Sequence, residues 1–251
     1  MKRSFLMILA LAAAIPGFSQ TVSVAAAANL GAVEAPLEEA FAKAHPGMKL
    51  QFTLGASGAL VTQISNGAPF QAFLSADTGF AQKLVDTGFA VGPVKTYAVG
   101  RLVFLATKPV DLSRGVAVVL DPAVAQFAIA NPETAPYGRA AVEAMTKAGV
   151  YEAAKAKIVT GQSITQAVQF TLTAAGFGFV NKSAIYSKEA APFSQEGKFW
   201  FEVDPKLYTP IEQGFVVLKG AEGRPEVKAM AGFLLSSEAQ RVFADFGYGH
   251  P

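Results

Sequence analysis

The chain has 251 residues, 51% of them hydrophobic and 16% charged, with a formal net charge of +2. This composition excludes a disordered, solvating chain and suits one large or two modest domains with a real core. The absence of cysteine excludes disulfides, thiolate metal sites and cysteine nucleophiles, and no dense Lys/Arg patch interleaved with aromatics points to nucleic acid.

Lys2 and Arg3, an apolar run over 5–15 and the small residues Gly17 and Ser19 read as an export signal over 1–19. The run is too short and too early to span a membrane. With no cysteine to carry a lipid anchor, the mature chain is expected to be soluble in a bacterial periplasm. Residues 21–25 are a predicted strand. Leu30, Val33, Leu37 and Phe41 then repeat at helical spacing, so a helix starts near Asn29. Asn29 suits either an ordinary N-cap or a polar contact for a ligand. Residues 48–54 alternate as a second strand, and Gly55, Ala56, Ser57 and Gly58 turn it into a helix over 60–66. Glycines beside the serine let the backbone come close to a ligand. A helix N-terminus there presents free N–H groups and the positive end of the helix dipole, which is a seat for an anion. The alternative is a plain serine cap. A third strand over 70–75 turns at Ala76 and Asp77 into a helix over 78–86. Three successive strand–helix units predict a parallel sheet with right-handed crossovers, and ligands of such sheets sit at the carboxyl ends of the strands.

An apolar run over 96–107 carries the chain onward, and residues 116–120 are read as a strand. The turn-rich loop 130–138 leads into a helix over 139–147. Tyr137 at its first turn suits a packed aromatic as well as a hydroxyl donor. Residues 157–159 form a short strand, Gly161, Gln162 and Ser163 cap a helix over 164–173, and the strand 176–181 ends on Asn181. Further strands are predicted over 199–203 and 208–218, and two amphipathic helices over 227–235 and 238–246 close the chain. The pattern implies two α/β domains joined by two crossings, with the last helices rejoining the first domain. A ligand between them would be enclosed when the lobes hinge shut.

The two histidines, His45 and His250, have neither metal-ligand nor triad spacing. The turn at Ser57 lacks the nucleophile-elbow pattern, and a serine without a base is a poor nucleophile. No metal cluster, dinucleotide fingerprint or Walker sequence appears. An exported enzyme acting on an oxyanion-bearing substrate is therefore the weaker reading, and a binding protein the stronger one. The candidate turns at Asn29, Ser57, Tyr137, Ser163–Ile164 and Asn181 offer neutral donors, and none carries a carboxylate within the loop. Monohydrogen phosphate would need an acceptor for its proton. A fully deprotonated tetrahedral dianion needs only donors, which hydroxyls, amides and helix dipoles supply.

The segments AAAAN at 25–29, GASG at 55–58, GAPFQAFLSAD at 67–77, APYG at 135–138 and GFGFV at 176–180 resemble those of the periplasmic molybdate-binding proteins of molybdate ABC transporters, the ModA family. The likeness covers essentially the whole mature chain. It implies a bilobed α/β periplasmic-binding-protein fold of type II, with two interdomain crossings and the ligand in the cleft. The lobes would be 20–99 with 212–251, and 100–211. It implies no enzymatic activity and no cofactor, the bound ligand being molybdate or tungstate, with sulfate or phosphate as the alternative anions. Asn29 and Ser57 would be ligands from the first lobe, with Tyr137, Ile164 (through its backbone N–H) and Asn181 from the second. Ala28 and Gly58 would be their backbone neighbours. All five would act as hydrogen-bond ligands of the oxyanion, with no direct metal coordination. Enterobacterial members carry serine, alanine and tyrosine where Asn29, Tyr137 and Asn181 stand, so this sequence is similar to the branch that uses the asparagine and the loop tyrosine. The implied partners are the oxyanion and the membrane permease of an ABC transporter, approached by a periplasmic monomer that binds no nucleic acid.

Overall fold

The computed structural model describes residues 20–251; the export signal expected over 1–19 lies outside them. Among the described residues no helix is long and apolar enough to cross a membrane.

The chain builds two five-stranded sheets, one per lobe. The first begins with β1 (Gln20–Ala27), a 3-10 turn (Ala28–Ala32) and α1 (Glu34–Ala44). It continues through β2 (Met48–Gly55), α2 (Ser57–Ser65), β3 (Ala72–Leu74), α3 (Thr78–Asp86) and β4 (Ala90–Gly100). The second lobe holds β5 (Leu102–Ala106), β6 (Phe127–Ala130), α4 (Pro136–Lys147), α5 (Tyr151–Ala154) and β7 (Ile158–Gly161), then α6 (Ile164–Phe170), β8 (Phe177–Asn181) and β9 (Trp200–Glu202). The chain returns through β10 (Ile211–Leu218) to the first sheet and ends with α7 (Pro225–Phe233) and α8 (Ser237–Asp245).

The first sheet has the order β2-β1-β3-β10-β4 and the second β7-β6-β8-β5-β9. As expected of the strand–helix units, β1 runs parallel to β2 and β3. The returning β10 is antiparallel to β3 and β4. The chain leaves the first sheet at Gly100 and enters the second at Leu102. On the way back Ile211 pairs with Gly100, so the two crossings lie side by side as antiparallel strands.

Alternation along β1 explains how the first sheet is covered on both faces. Val22, Val24 and Ala26 pack with Leu37 and Phe41 of α1, Val227 of α7 and Phe243 of α8. Ala25, on the opposite face, packs with Leu60 of α2 and Ala81 of α3. In the second lobe β5, β6 and β8 are buried along their whole length, so they read as continuous apolar runs.

One expected element is replaced. Residues 116–120 do not form a strand; they lie in a 3-10 segment, Leu112–Leu120, kinked where Gly115 adopts φ 56°. Asp111 starts that segment by accepting from the Ser113 N–H. The strand of this region is β6, only four residues long and followed at once by the loop to α4. A short apolar run carries too little periodicity to separate the two outcomes.

Candidate functional site

The carboxyl ends of β1, β2 and β3 meet the starts of α4 and α6 across the gap between the lobes. They surround a small cavity of about 10 Å³, lined by 27–29, 55–57, Ala76, 135–137 and Ile164. No lining side chain is charged, among the described residues. Three helices begin at its wall: α2 at Ser57, α4 at Pro136 and α6 at Ile164. In the first turn of a helix the N–H groups have no intrahelical acceptor. Ser57, Tyr137 and Ile164 therefore bring backbone donors, and the positive helix ends stand behind them.

Ser57 is not the cap of its helix. Ala56 occupies the N-cap and Ser57 is the first helical residue. Its buried hydroxyl accepts from the Ala76 N–H at 3.0 Å, which ties α2 to the end of β3. A hydroxyl oxygen that accepts in this way keeps its own proton to donate.

Asn29 is not a cap either. It sits inside the 3-10 turn, whose N-cap is Ala27, and Val33 caps α1. Its carboxamide is buried, and Nδ2 donates to Gln213 Oε1 and to the Tyr248 hydroxyl, both at 3.0 Å. Its Oδ1 has no partner among the described residues.

Tyr137 is buried at the second position of α4, and its hydroxyl accepts from Gln213 Nε2 at 3.1 Å. Burial first, then the neighbouring Tyr248, Tyr97 and Tyr208, push its phenol well above the ordinary tyrosine value, so it stays neutral. Gly100 makes room for it, because a Cβ there would clash with the Tyr137 hydroxyl. A Cβ on Gly138 would instead clash with the Ala130 carbonyl oxygen, so that glycine lets the start of α4 pack against the end of β6. Ile164 opens α6 behind Ser163, whose side chain caps the helix by accepting from Gln166 N–H at 3.2 Å.

Asn29, Ser57, Tyr137 and Ile164 thus line one cavity. Asn181 does not join them there. At the end of β8 its Nδ2 donates to the Asn29 carbonyl at 3.2 Å and to Ser183 Oγ at 2.6 Å. It lies behind Asn29, on a wider groove that Asn29 also borders.

Several buried polar residues here carry no local motif. Gln213 on β10 is fully buried; its Oε1 accepts from Asn29 and from the Tyr97 hydroxyl at 2.8 Å. Tyr248 donates to the Asn29 carbonyl at 2.8 Å and lies 3.0 Å from Ser183 Oγ. A lone glutamine within an apolar strand is a sequence signal, because buried polar groups need partners. Its partners are not local.

The lobes touch directly around the cavity. Gly58 N–H donates to the Thr134 carbonyl at 3.0 Å, and Thr165 Oγ1 donates to the Ala28 carbonyl at 3.2 Å. At the rim Arg139 pairs with Asp77 and lies over the Phe80 ring at 5.9 Å. This is a closed arrangement, with donors from both lobes facing one small space.

Residues 22–249 match the family model of the bacterial extracellular solute-binding proteins. The molybdate-binding protein ModA of Rhodobacter capsulatus is 39% identical over 96% of this chain and 92% of its own length. That of Azotobacter vinelandii is 40% identical over 91% and 89%. The chain belongs to the ModA family of bacterial extracellular solute-binding proteins. The solved periplasmic molybdate-binding protein of Azotobacter vinelandii superposes with a TM-score of 0.80 at 31% identity, covering 92% of this chain and 99% of that one. The two sheets and paired crossings described above are therefore the bilobed periplasmic-binding-protein fold. The matching family is one of solute-binding proteins.

Proposed function

We propose that this protein is the molybdate-binding receptor of an ABC transporter: it captures molybdate or tungstate in the periplasm and hands it to the membrane permease. The observation that carries the reading is the small interlobe cavity with an uncharged lining and three helix N-termini at its wall. Such donors hold a tetrahedral dianion without a paired cation. In this reading Ser57 donates its hydroxyl proton and backbone N–H, Asn29 its carboxamide, and Tyr137 and Ile164 their backbone N–H groups. Asn181 acts one layer back by holding the Asn29 carbonyl. The lobes are 20–99 with 212–251, and 100–211, and the receptor acts as a monomer.

Because both lobes supply donors, the anion stabilises the closed form in proportion to its differential affinity for it, and the permease can distinguish loaded from empty receptor. Selection against sulfate follows from donors fixed at one radius, which a smaller anion cannot all reach. Calorimetric titration of the mature protein with molybdate, tungstate, sulfate and phosphate tests this. Tight one-to-one binding of the first two is expected, with the others silent. Preference for sulfate or phosphate would assign the receptor to another oxyanion transporter.

A further inference from the structure

The unpartnered Asn29 Oδ1 conflicts with an anion in the cavity. Asn29 lines the cavity and is 1% exposed, and Nδ2 is turned away to Gln213 and Tyr248. The atom left over is an acceptor, which would repel a dianion. We propose that Gln213 is a positioning residue for the anion site: the carboxamides of Asn29 and Gln213 turn over together when the anion enters, and Gln213 thereby holds Asn29 Nδ2 toward it. This rests on Asn29 being an oxyanion ligand.

The two edges of a carboxamide have nearly the same shape, so each can rotate in place if its neighbours accept the exchange. Here they do. In the observed state Gln213 Oε1 accepts from Asn29 and Tyr97, and Nε2 donates to the Tyr137 hydroxyl. After the exchange Gln213 Nε2 donates to Asn29 Oδ1 and to the Tyr97 hydroxyl. Tyr97 has a second acceptor ready, the Ser75 carbonyl at 3.2 Å. Tyr137 donates its proton to Gln213 Oε1 instead of accepting. Tyr248 donates to Asn29 Oδ1 instead of accepting from Nδ2, and the Asn29 carbonyl keeps Ser183 Oγ at 3.0 Å and Asn181 Nδ2 at 3.2 Å. Every buried group remains paired, the orphaned acceptor gains donors, and both Nδ2 protons become free for the anion. A hydroxyl reverses direction at almost no cost, and Gln213 is flanked by two, on Tyr97 and Tyr137. Since Tyr137 belongs to the second lobe, the turned state is completed only when the lobes are closed.

The test combines a double-mutant cycle with side-chain amide spectra. Gln213→Met keeps the volume and removes both polar edges. We expect it to remain folded by circular dichroism and to bind molybdate about tenfold or more weakly. If Gln213 acts through Asn29, adding Gln213→Met to Asn29→Ala weakens binding no further; a loss that multiplies overturns the proposal. The second measurement needs no variant: in nitrogen-edited spectra of the wild-type protein, saturating tungstate should shift the Asn29 and Gln213 side-chain amide pairs together. An unmoved Gln213 pair overturns the proposal even if Gln213→Met fails to fold. Failure of the underlying reading has a different signature, Asn29→Ala binding molybdate as well as wild type. Wild-type protein that takes phosphate as tightly as molybdate would mean that Oδ1 stays turned in to accept a proton, and that too overturns it.

Discussion

Replacing Ser57 with alanine separates the two duties of its hydroxyl. Oγ accepts from the Ala76 N–H at 3.0 Å in a site where Ser57 is 1% exposed. Removing it strands a buried donor, which costs about 1–3 kcal/mol of stability with or without ligand. In a chain of this size about 1 kcal/mol lowers Tm by roughly 2–4 °C. The lost donation to a dianion is a separate effect, about 1.5–3 kcal/mol for a hydrogen bond to a charged group, or roughly ten- to a hundredfold in Kd. Thermal melting of the ligand-free variant reads the first, and calorimetric titration with molybdate reads the second. A lowered Tm with unchanged affinity would refute the direct contact and leave Ser57 as a tie between α2 and β3. Unchanged values of both would refute the hydrogen-bond argument altogether.

Arg139→Ala removes the rim pair with Asp77, which joins the two lobes in the closed form while Arg139 stays half exposed. An exposed pair is worth about 0.2–1 kcal/mol, so molybdate affinity should fall by up to about fivefold and the difference should vanish at high salt; a salt-independent loss would argue against an electrostatic latch. Burial raises the Tyr97 and Tyr137 phenols well above the ordinary tyrosine value, and Tyr248 to about 12. In the unfolded chain each phenol ionises near about 10. The native state keeps protons that the unfolded state releases, so their contribution to stability is complete below about pH 10 and declines as pH rises above it, for Tyr248 through about 12. Denaturant unfolding between pH 8 and 12 should show that decline, and replacing Tyr248 with phenylalanine should shrink it; a decline unaltered by that replacement would mean that Tyr248 is not part of its cause.

What the sequence by itself determined was local. The small residues that end β1, the glycines around Ser57, the Ser163 cap and the position of Tyr137 at the start of α4 are set within a few residues of chain. Helical spacing, turn chemistry and strand length report them directly. The strand-then-helix order also implied that such turns gather at one end of a parallel sheet, and Asn29, Ser57, Tyr137 and Ile164 do line one cavity. The tertiary structure decided what each polar group does there. A serine at a turn reads as a cap, but the chain enters α2 one residue earlier, and Ala76, brought alongside by the β1–β3 pairing, takes up the hydroxyl. Asn29 finds its partners at Gln213 and Tyr248, 184 and 219 residues away, on the returning strand and the closing tail. Asn181 is likewise drawn to the Asn29 carbonyl and not into the cavity wall. Hydrogen bonds of that range depend on the register of two sheets and on how the crossings bring the lobes together. No periodicity within a single element records them, because in sequence each of these side chains is only one polar residue in an apolar run.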